Sequence, residues 1–455
     1  MAPLEHTRSM DDLETGSHVR LRITTRMGEQ THEGILLSPY DSGLVTVKLE
    51  NGYNLSHPTS AIKEITRLDG KSPTEFASLK SKPIDDSLPL VTLIHTGGTI
   101  ASKVDYKTGA VIARFEPEEL IDSVPELREI ARIETTLLGN MFSDDIRPRH
   151  WNQMITETLA AFNRGSRGVV ITHGTDTMAT SAAAMSFAWS GDGGRPPGPI
   201  VFTGAQRSSD RGSSDARENL IASVHLAAHG PAPSGRKDAA VIVMHAGSSD
   251  GILAIHAGHS ARKTHSSRRD AFESIDRLPL GTIKLTTDEP IITMNQIQED
   301  VQVLSTSPLT YNEDIKIAEF IAGAHLLPEH LQAIIATKPD AIHLHGTGLG
   351  HLPTSDPNSD SPENTEIYST IHDYVAGGGI AVVTTQTIRG PVHLDVYSKG
   401  RALQEIGILG HGMNGPPETS LVKLHYLLSR HRGDSEAFQN AWAMNLIGEQ
   451  DELIN

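Results

Sequence analysis

The chain has 455 residues, more than one ordinary domain, and its 37% hydrophobic and 21% charged content is that of a globular protein able to bury real cores. It has no cysteine, which excludes disulfides, thiolate metal sites and a cysteine nucleophile, so any amide hydrolysis must use a hydroxyl. A formal net charge of −17 argues against wrapping a phosphate backbone unaided, and no run approaches the ~20 apolar residues that a membrane helix needs. The start, MAPLEHTRSMDDLETG, has an acidic cluster and no apolar core of a signal peptide, so the expected compartment is the cytoplasm, with no membrane partner.

Residues 17 to 67 are predicted to form a small all-β unit. Val19 to Ile23 alternates, the runs 34–37 and 44–49 follow, and Asn51-Gly52 is a hairpin turn signal. Short strands this close together favour an SH3-like barrel over residues 1–75, the alternative being a β-meander packed as an extra edge of the main domain. Residues 76–89 lie in a polar, proline-containing stretch without periodicity and read as a linker. From 90 to 295 the pattern is α/β. Strand candidates run into glycine-rich tails: Ile94 into HTGG, Ile171 into THGTD, Phe202 into TGAQR and Met244 into HAGSSDG. Between them, Trp151, Met154, Ile155, Leu159 and Phe162 recur at helical spacing, and 215–229 is a second helix with acids in its first turn. Alternating strands and helices imply a mostly parallel sheet covered on both faces. A smaller α/β unit is expected over 313–455, with strands at 341–344 and 380–383.

The chemistry concentrates in HTGGTIA at 95–101 and THGTDTM at 172–178, each a Gly-rich turn at a strand's carboxyl end that offers threonine hydroxyls and a carboxylate. A hydroxyl nucleophile needs a base, and threonine beside a carboxylate and a lysine is one way to supply it. Glycines ahead of Thr99 let the backbone approach a substrate amide. His343 and His345 point to one face of a strand, and His256 and His259 could gather nearby. No set has the spacing of a zinc protease and no third ligand stands at a telling interval, so hydrogen-bonded strand-end histidines are the favoured reading and no metal is expected.

TGGTIA and HGTDT resemble the two signatures of the bacterial-type L-asparaginase and glutaminase family. The segment 257–272 (AGHSARKTHSSRRDAF) is similar to the family's lysine region, and Phe142 to Trp151 is similar to its substrate-carboxylate region. The resemblance covers about residues 88 to 430. It implies a two-domain asparaginase-like α/β core and a catalytic set of Thr99 as nucleophile, with Thr175, Asp176 and Lys263 as a second cluster in which Asp176 holds the lysine and the amine takes the Thr175 proton. An adjacent carboxylate favours the charged amine, so burial must oppose the pair; from the residues alone, Lys263 in its basic run reads first as a surface ion-pair lysine. How the two threonines share the attack stays open. Tyr106 is implied on a mobile lid, Ser102 to Ala110, that closes over Thr99. Substrate binding is implied for Ser143 (the α-carboxylate), Asp176 (the α-ammonium), Gly98 and Asp144, the last standing where simple asparaginases often carry an amide.

An N-terminal unit ahead of such a core is similar to the D-subunit family of archaeal-type glutamyl-tRNA(Gln) amidotransferases, as are LENGYN at 49–54, IASKVDYKTGAV at 100–111, FSDDIRPRHW at 142–151, QRSSDRGSSDA at 206–216 and SSRRDAFESI at 266–275. That resemblance implies glutamine as substrate, with the released ammonia passed to an E-type partner subunit that uses ATP and magnesium. It implies no cofactor on this chain, tRNA(Gln) held mainly by the partner, and a homodimer within a heterotetramer, with residues near His393 to Tyr397 reaching a neighbouring site. A free asparaginase and a non-catalytic scaffold are the alternatives, and the HGMNGPPE turn at 411–418 is about one residue longer than the family's.

Overall fold

The computed structural model describes residues 17–25, 28–37, 43–49, 54–68, 86–98, 100, 102–104, 111–113, 120–121, 124–207, 214–295 and 303–450. The expected N-terminal strands appear as β1 (His18–Thr25), β2 (Gly28–Leu37) and β3 (Leu44–Leu49). Two strands that sequence pattern did not single out follow, β4 (Asn54–Pro58) and β5 (Ile62–Arg67), separated by a 3-10 turn at Thr59–Ala61. All pairings are antiparallel in the order β4-β3-β2-β1-β5. A register shift at Arg22/Ile23 bends β1 so that Val19, Leu21, Ile23, Val45, Val47 and Ile65 share one small buried core. The Asn51-Gly52 turn lies outside the described residues.

The large sheet starts with β6 (Leu90–Gly97), which continues through the histidine into the glycine of the first signature. A short antiparallel hairpin of β7 (Ser102–Val104) and β8 (Val111–Ala113) roots the expected lid, whose tip at 105–110 lies outside the described residues. Then come β9 (Arg132–Met141), β10 (Gly168–Thr172), β11 (Ile200–Thr203) and β12 (Val241–His245), all parallel to β6 or to one another. The side chains alternate across the sheet: Val169 and Ile171 enter the core under helices Pro148–Asn163 and Met178–Ser190, whereas Val170 enters the core under helix Ala216–His229.

Beyond β12 the pairing changes. After β13 (Ile252–Ala257) come β14 (Ala261–Lys263) and β15 (Phe272–Ser274), a separate antiparallel hairpin, then β16 (Gly281–Lys284) and β17 (Ile291–Met294). β13, β16 and β17 extend the large sheet with antiparallel pairings, in the overall order β17-β16-β13-β12-β11-β10-β6-β9. The parallel half is the one expected from alternating strands and helices. For β12–β13 and β16–β17 the antiparallel sense follows from chain length, because the links 245–252 and 284–291 are too short for the dozen or more residues of a parallel crossover. In the C-terminal part, β18 (Ile317–Ile321), β19 (Ala341–Gly346) and β20 (Ile380–Thr385) form a three-stranded parallel sheet. One face packs on helices Pro328–Ile335 and Pro362–Ala376, and the other faces helix Pro417–His431 and the large domain. Among the described residues, no helix is long and apolar enough to cross a membrane.

Candidate active site

The two signature loops meet backbone to backbone. Gly97 and Gly98 have φ of 110° and 90°, conformations that other residues rarely adopt. A Cβ on Gly98 would stand 2.6 Å from the Gly174 nitrogen, and one on Gly174 would stand 2.8 Å from the Ser143 Cβ. Glycine is therefore required twice, and its absence of side chain stacks three segments at the carboxyl edge of neighbouring parallel strands. Thr177 locks the third segment by donating to the Ser143 carbonyl at 2.6 Å.

Over this stack sits Lys263, the last residue of β14. Its Nζ donates to Thr175 Oγ1 at 2.8 Å and to Asp176 Oδ1 at 2.7 Å. Thr175 is buried; the lysine side chain is 13% exposed and that of Asp176 is 71% exposed. The amine is thus the buried member of the pair, while the carboxylate opens to solvent. Ser143 is buried against Gly174, and Asp144 is exposed, its carbonyl accepting from Arg147. Of the residues expected at the site, the structure brings together Gly98, Ser143, Thr175, Asp176 and Lys263. Thr99 and Tyr106 lie outside the described residues.

The floor is held by neutral, buried polar groups. His173 is fully buried, and burial pushes its pKa down to about 4 despite the hydrogen bond from Nδ1 to the Gly174 carbonyl. That bond fixes the proton on Nδ1, so Nε2 accepts from Ser181 at 2.9 Å, and Ser181 in turn accepts from the Trp151 indole at 3.2 Å. His95, likewise lowered by burial to about 4, bonds Thr172 at 2.6 Å. These bonds join β6, β10 and two helices beneath the loops.

Two supports were invisible in the sequence. The first begins at Asp215, fully buried, which accepts from the Gln206 and Arg207 amides and from Asn219. Asn219 accepts from His245 Nδ1 at 2.7 Å, and His245 Nε2 accepts from Arg269 at 2.8 Å, six residues past Lys263. The second comes from the C-terminal part: Arg389 bonds Glu273 at 2.8 Å, the Gly390 amide donates to Asp276 at 2.7 Å, and Glu418 pairs with Arg262 at 3.2 Å. The hairpin that carries Lys263 is therefore clamped from both sides. Only the contacts of Asp215 are local, to Asn219 at helical i, i+4 spacing and to the Gln206 and Arg207 amides eight or nine positions back; the other contacts cross 24 to 156 positions.

Chemically, the cluster is a hydroxyl oxygen that accepts from an amine, the amine oriented by a mostly exposed carboxylate. That arrangement fits a hydroxyl nucleophile attacking a carbonyl.

Similarity to known proteins places the family and the fold. The family model "Asparaginase, N-terminal" matches residues 90–297, and "Glutaminase/Asparaginase C-terminal domain" matches 315–441. The thermostable L-asparaginase from Thermococcus kodakarensis superposes with a TM-score of 0.66 at 26% identity, over 80% of this chain and 100% of that one. L-asparaginase I from Vibrio cholerae has the same fold, with a TM-score of 0.62 over 80% of this chain and 100% of its own. The D subunit of the glutamyl-tRNA(Gln) amidotransferase of Pyrococcus furiosus is 37% identical over 448 residues, 96% of this chain and 95% of that protein. Its counterpart in Sulfolobus acidocaldarius is 34% identical over 97% of this chain and 92% of its own length, and that of Haloquadratum walsbyi is 32% identical over 93% and 97%. With a match that runs through the N-terminal β unit as well as the asparaginase-like core, this chain belongs to the family of glutamyl-tRNA(Gln) amidotransferase D subunits.

Proposed function

We propose that the chain is the glutamine-hydrolysing subunit of a tRNA-dependent amidotransferase, supplying ammonia for the conversion of Glu-tRNA(Gln) to Gln-tRNA(Gln) on an E-type partner subunit that uses ATP and magnesium. The observation that carries this reading is Lys263 shared between Thr175 and Asp176 over the Gly98–Gly174 contact, in a chain similar to D subunits along nearly its whole length. A threonine oxygen attacks the carbonyl carbon of the glutamine side-chain amide. Its proton passes to the lysine amine and on to the departing nitrogen, which leaves as ammonia. Water then cleaves the resulting ester to glutamate and regenerates the hydroxyl. Thr99 is the proposed attacking residue, with Thr175 and Lys263 as the proton-handling pair and Tyr106 closing on the lid. Asp176 gives one oxygen to Lys263 and offers the other to the substrate ammonium, Ser143 holds the α-carboxylate, and Gly98 and Asp144 are further substrate contacts. A site built around a charged pair rejects amides that lack it far better than an apolar pocket does.

Free ammonia is mostly protonated near neutral pH, so the site works with a partner close by. The chain is proposed to act in the cytoplasm as a homodimer inside a heterotetramer, with tRNA held mainly by the partner and residues near His393 to Tyr397 reaching the neighbouring site. The test is glutaminase activity of the purified chain, alone and with the E-type partner and glutamyl-tRNA. The expected result is slow hydrolysis alone and a large rise in the loaded complex. Rapid asparagine hydrolysis that ignores tRNA would instead make the chain a free asparaginase.

A further inference from the structure

We propose that Glu319, His343 and His345 form a binding site for a divalent transition metal, with zinc as the ion its donors suit, on the C-terminal sheet. The two histidines are two apart on β19 and so share one face. The missing third ligand comes from the neighbouring strand: Glu319 of β18 is in direct register with His343 and points to the same face. Glu319 Oε1 lies 3.3 Å from His343 Nδ1 and 3.1 Å from His345 Nε2, and one ligand atom from each residue falls within 4.8 Å of the others. A tetrahedral ion with bonds near 2.05 Å to nitrogen and oxygen has ligand edges of about 3.3 Å. Two imidazole nitrogens and one carboxylate oxygen favour zinc over calcium or magnesium, which take oxygen ligands.

The surroundings are those of a supported ligand set. His343 is completely buried, and its second nitrogen lies 3.1 Å from Thr384 Oγ1 on β20, the partner that fixes a ligand ring's tautomer and angle. Gln386 holds the His345 carbonyl at 2.7 Å. The carboxylate of Glu319 is 47% exposed, which leaves a side open for a water as fourth ligand. Glu418, whose Oε1 pairs with Arg262 while its Oε2 is buried without a hydrogen-bond partner, lies close enough to act electrostatically on His343. The competing account is a metal-free cluster in which both rings donate to Glu319. An ion here would tie β18 to β19 just ahead of the loop where Thr385 holds the Gly348 carbonyl at 2.6 Å.

The full chain, stripped with a chelator and dialysed, is titrated with Zn2+ against a chromogenic competitor and separately with Co2+. The expected result is one tight ion per chain and the intense visible absorption of four-coordinate cobalt. Glu319→Gln and His345→Ala, both at partly exposed positions, should each weaken binding by at least about a hundredfold, and Thr384→Val by about 10–100-fold, the range for lost outer partners. His229→Ala and His411→Ala, in other histidine–carboxylate clusters, should leave binding unchanged. Circular dichroism checks that each variant is folded. Stoichiometry unchanged in both Glu319→Gln and His345→Ala, loss of the ion in a control variant instead, or a weak six-coordinate cobalt spectrum would each overturn the site.

Discussion

Lys263 and Lys423 each approach a carboxylate oxygen to 2.7 Å, but they stand in opposite surroundings. Lys263 lies at the end of a hairpin, its partner Asp176 mostly exposed, and two of its protons are directed at Asp176 and Thr175. Lys423 and Glu449 are both completely buried in side chain, and the amine also donates to the carbonyls of Trp442 at 2.9 Å and Met444 at 2.7 Å, which uses all three of its protons. Burial pushes Lys423 below the ordinary lysine range. Burial also pushes the Glu449 carboxyl up, but the charge of Lys423 overcomes this and holds it below the usual value, while the Leu446 and Ile447 amides donate to the same carboxylate. A saturated, dry pair can only hold the C-terminal tail in place. An unsaturated pair with one wet partner can exchange a proton. The distance is the same, and the lesson is that solvation and leftover hydrogen-bonding capacity separate the pair proposed to act in catalysis from the structural one.

The comparison breaks most visibly at Lys263. Replacing Lys263 with Ala, or Thr175 with Val, should lower glutamine hydrolysis by about 10²–10⁴-fold, the usual contribution of a positioned proton-transfer group. Thermal unfolding should move little, because the lysine's partner is solvated already. If either variant keeps near-normal turnover in the partner-containing complex, the role given to that residue is wrong.

Lys423→Met should do the reverse, leaving hydrolysis by the folded fraction intact and lowering stability by about 3–5 kcal/mol through the uncompensated Glu449 charge. Urea unfolding measures it. The paired change Lys423→Met with Glu449→Leu should recover most of that loss, since a well-packed apolar replacement of a buried pair is often neutral. A double variant as unstable as the single one would show that the tail is held by something other than this charge balance.

The histidines around the site extend the contrast to pH. His95, His173 and His256 are lowered by burial to about 4 and His259 to about 3, so they remain neutral in the folded chain where the unfolded chain takes up protons. Their contribution is complete above about pH 6.5 and is lost as the pH falls from there toward 4, by about 2 kcal/mol per histidine between pH 7 and pH 5. Urea midpoints across that window should fall steeply with acid; a flat profile would mean that these rings take up protons in the fold as readily as in the unfolded chain. A smaller effect is expected for Ser181→Ala, which leaves His173 Nε2 without its donor and should cost about 1–2 kcal/mol, with Trp151 fluorescence reporting the altered indole environment.

Core strands and site residues were legible in the sequence for different reasons. Strands β6, β10, β11 and β12 stood out because each is a short apolar run ending in glycine, and the helix at 148–163 because Trp151, Met154 and Ile155 recur on one face. β4 and β5 did not, since NLSHP and IKEITR mix polar and charged residues whose strand state is set by pairing with β3 and β1. Thr175, Asp176 and Lys263 were legible only through motifs, and their meeting is a fact of topology: β10 ends beside a hairpin that begins 89 positions later. Glu319 shows the same limit. Nothing about its position in the chain marks it as the partner of His343, and the sequence reading that those histidines have no third ligand at a telling interval followed from that.

By itself the sequence determined the local conformations: where strands end, where a positive φ demands glycine, and which faces are apolar, because these depend on neighbours a few residues away. Only the tertiary structure decided which acid meets which lysine, how much water each pair keeps, and which strands run antiparallel. Those depend on crossover lengths and on burial by segments more than a hundred residues distant, and no periodicity along the chain encodes them.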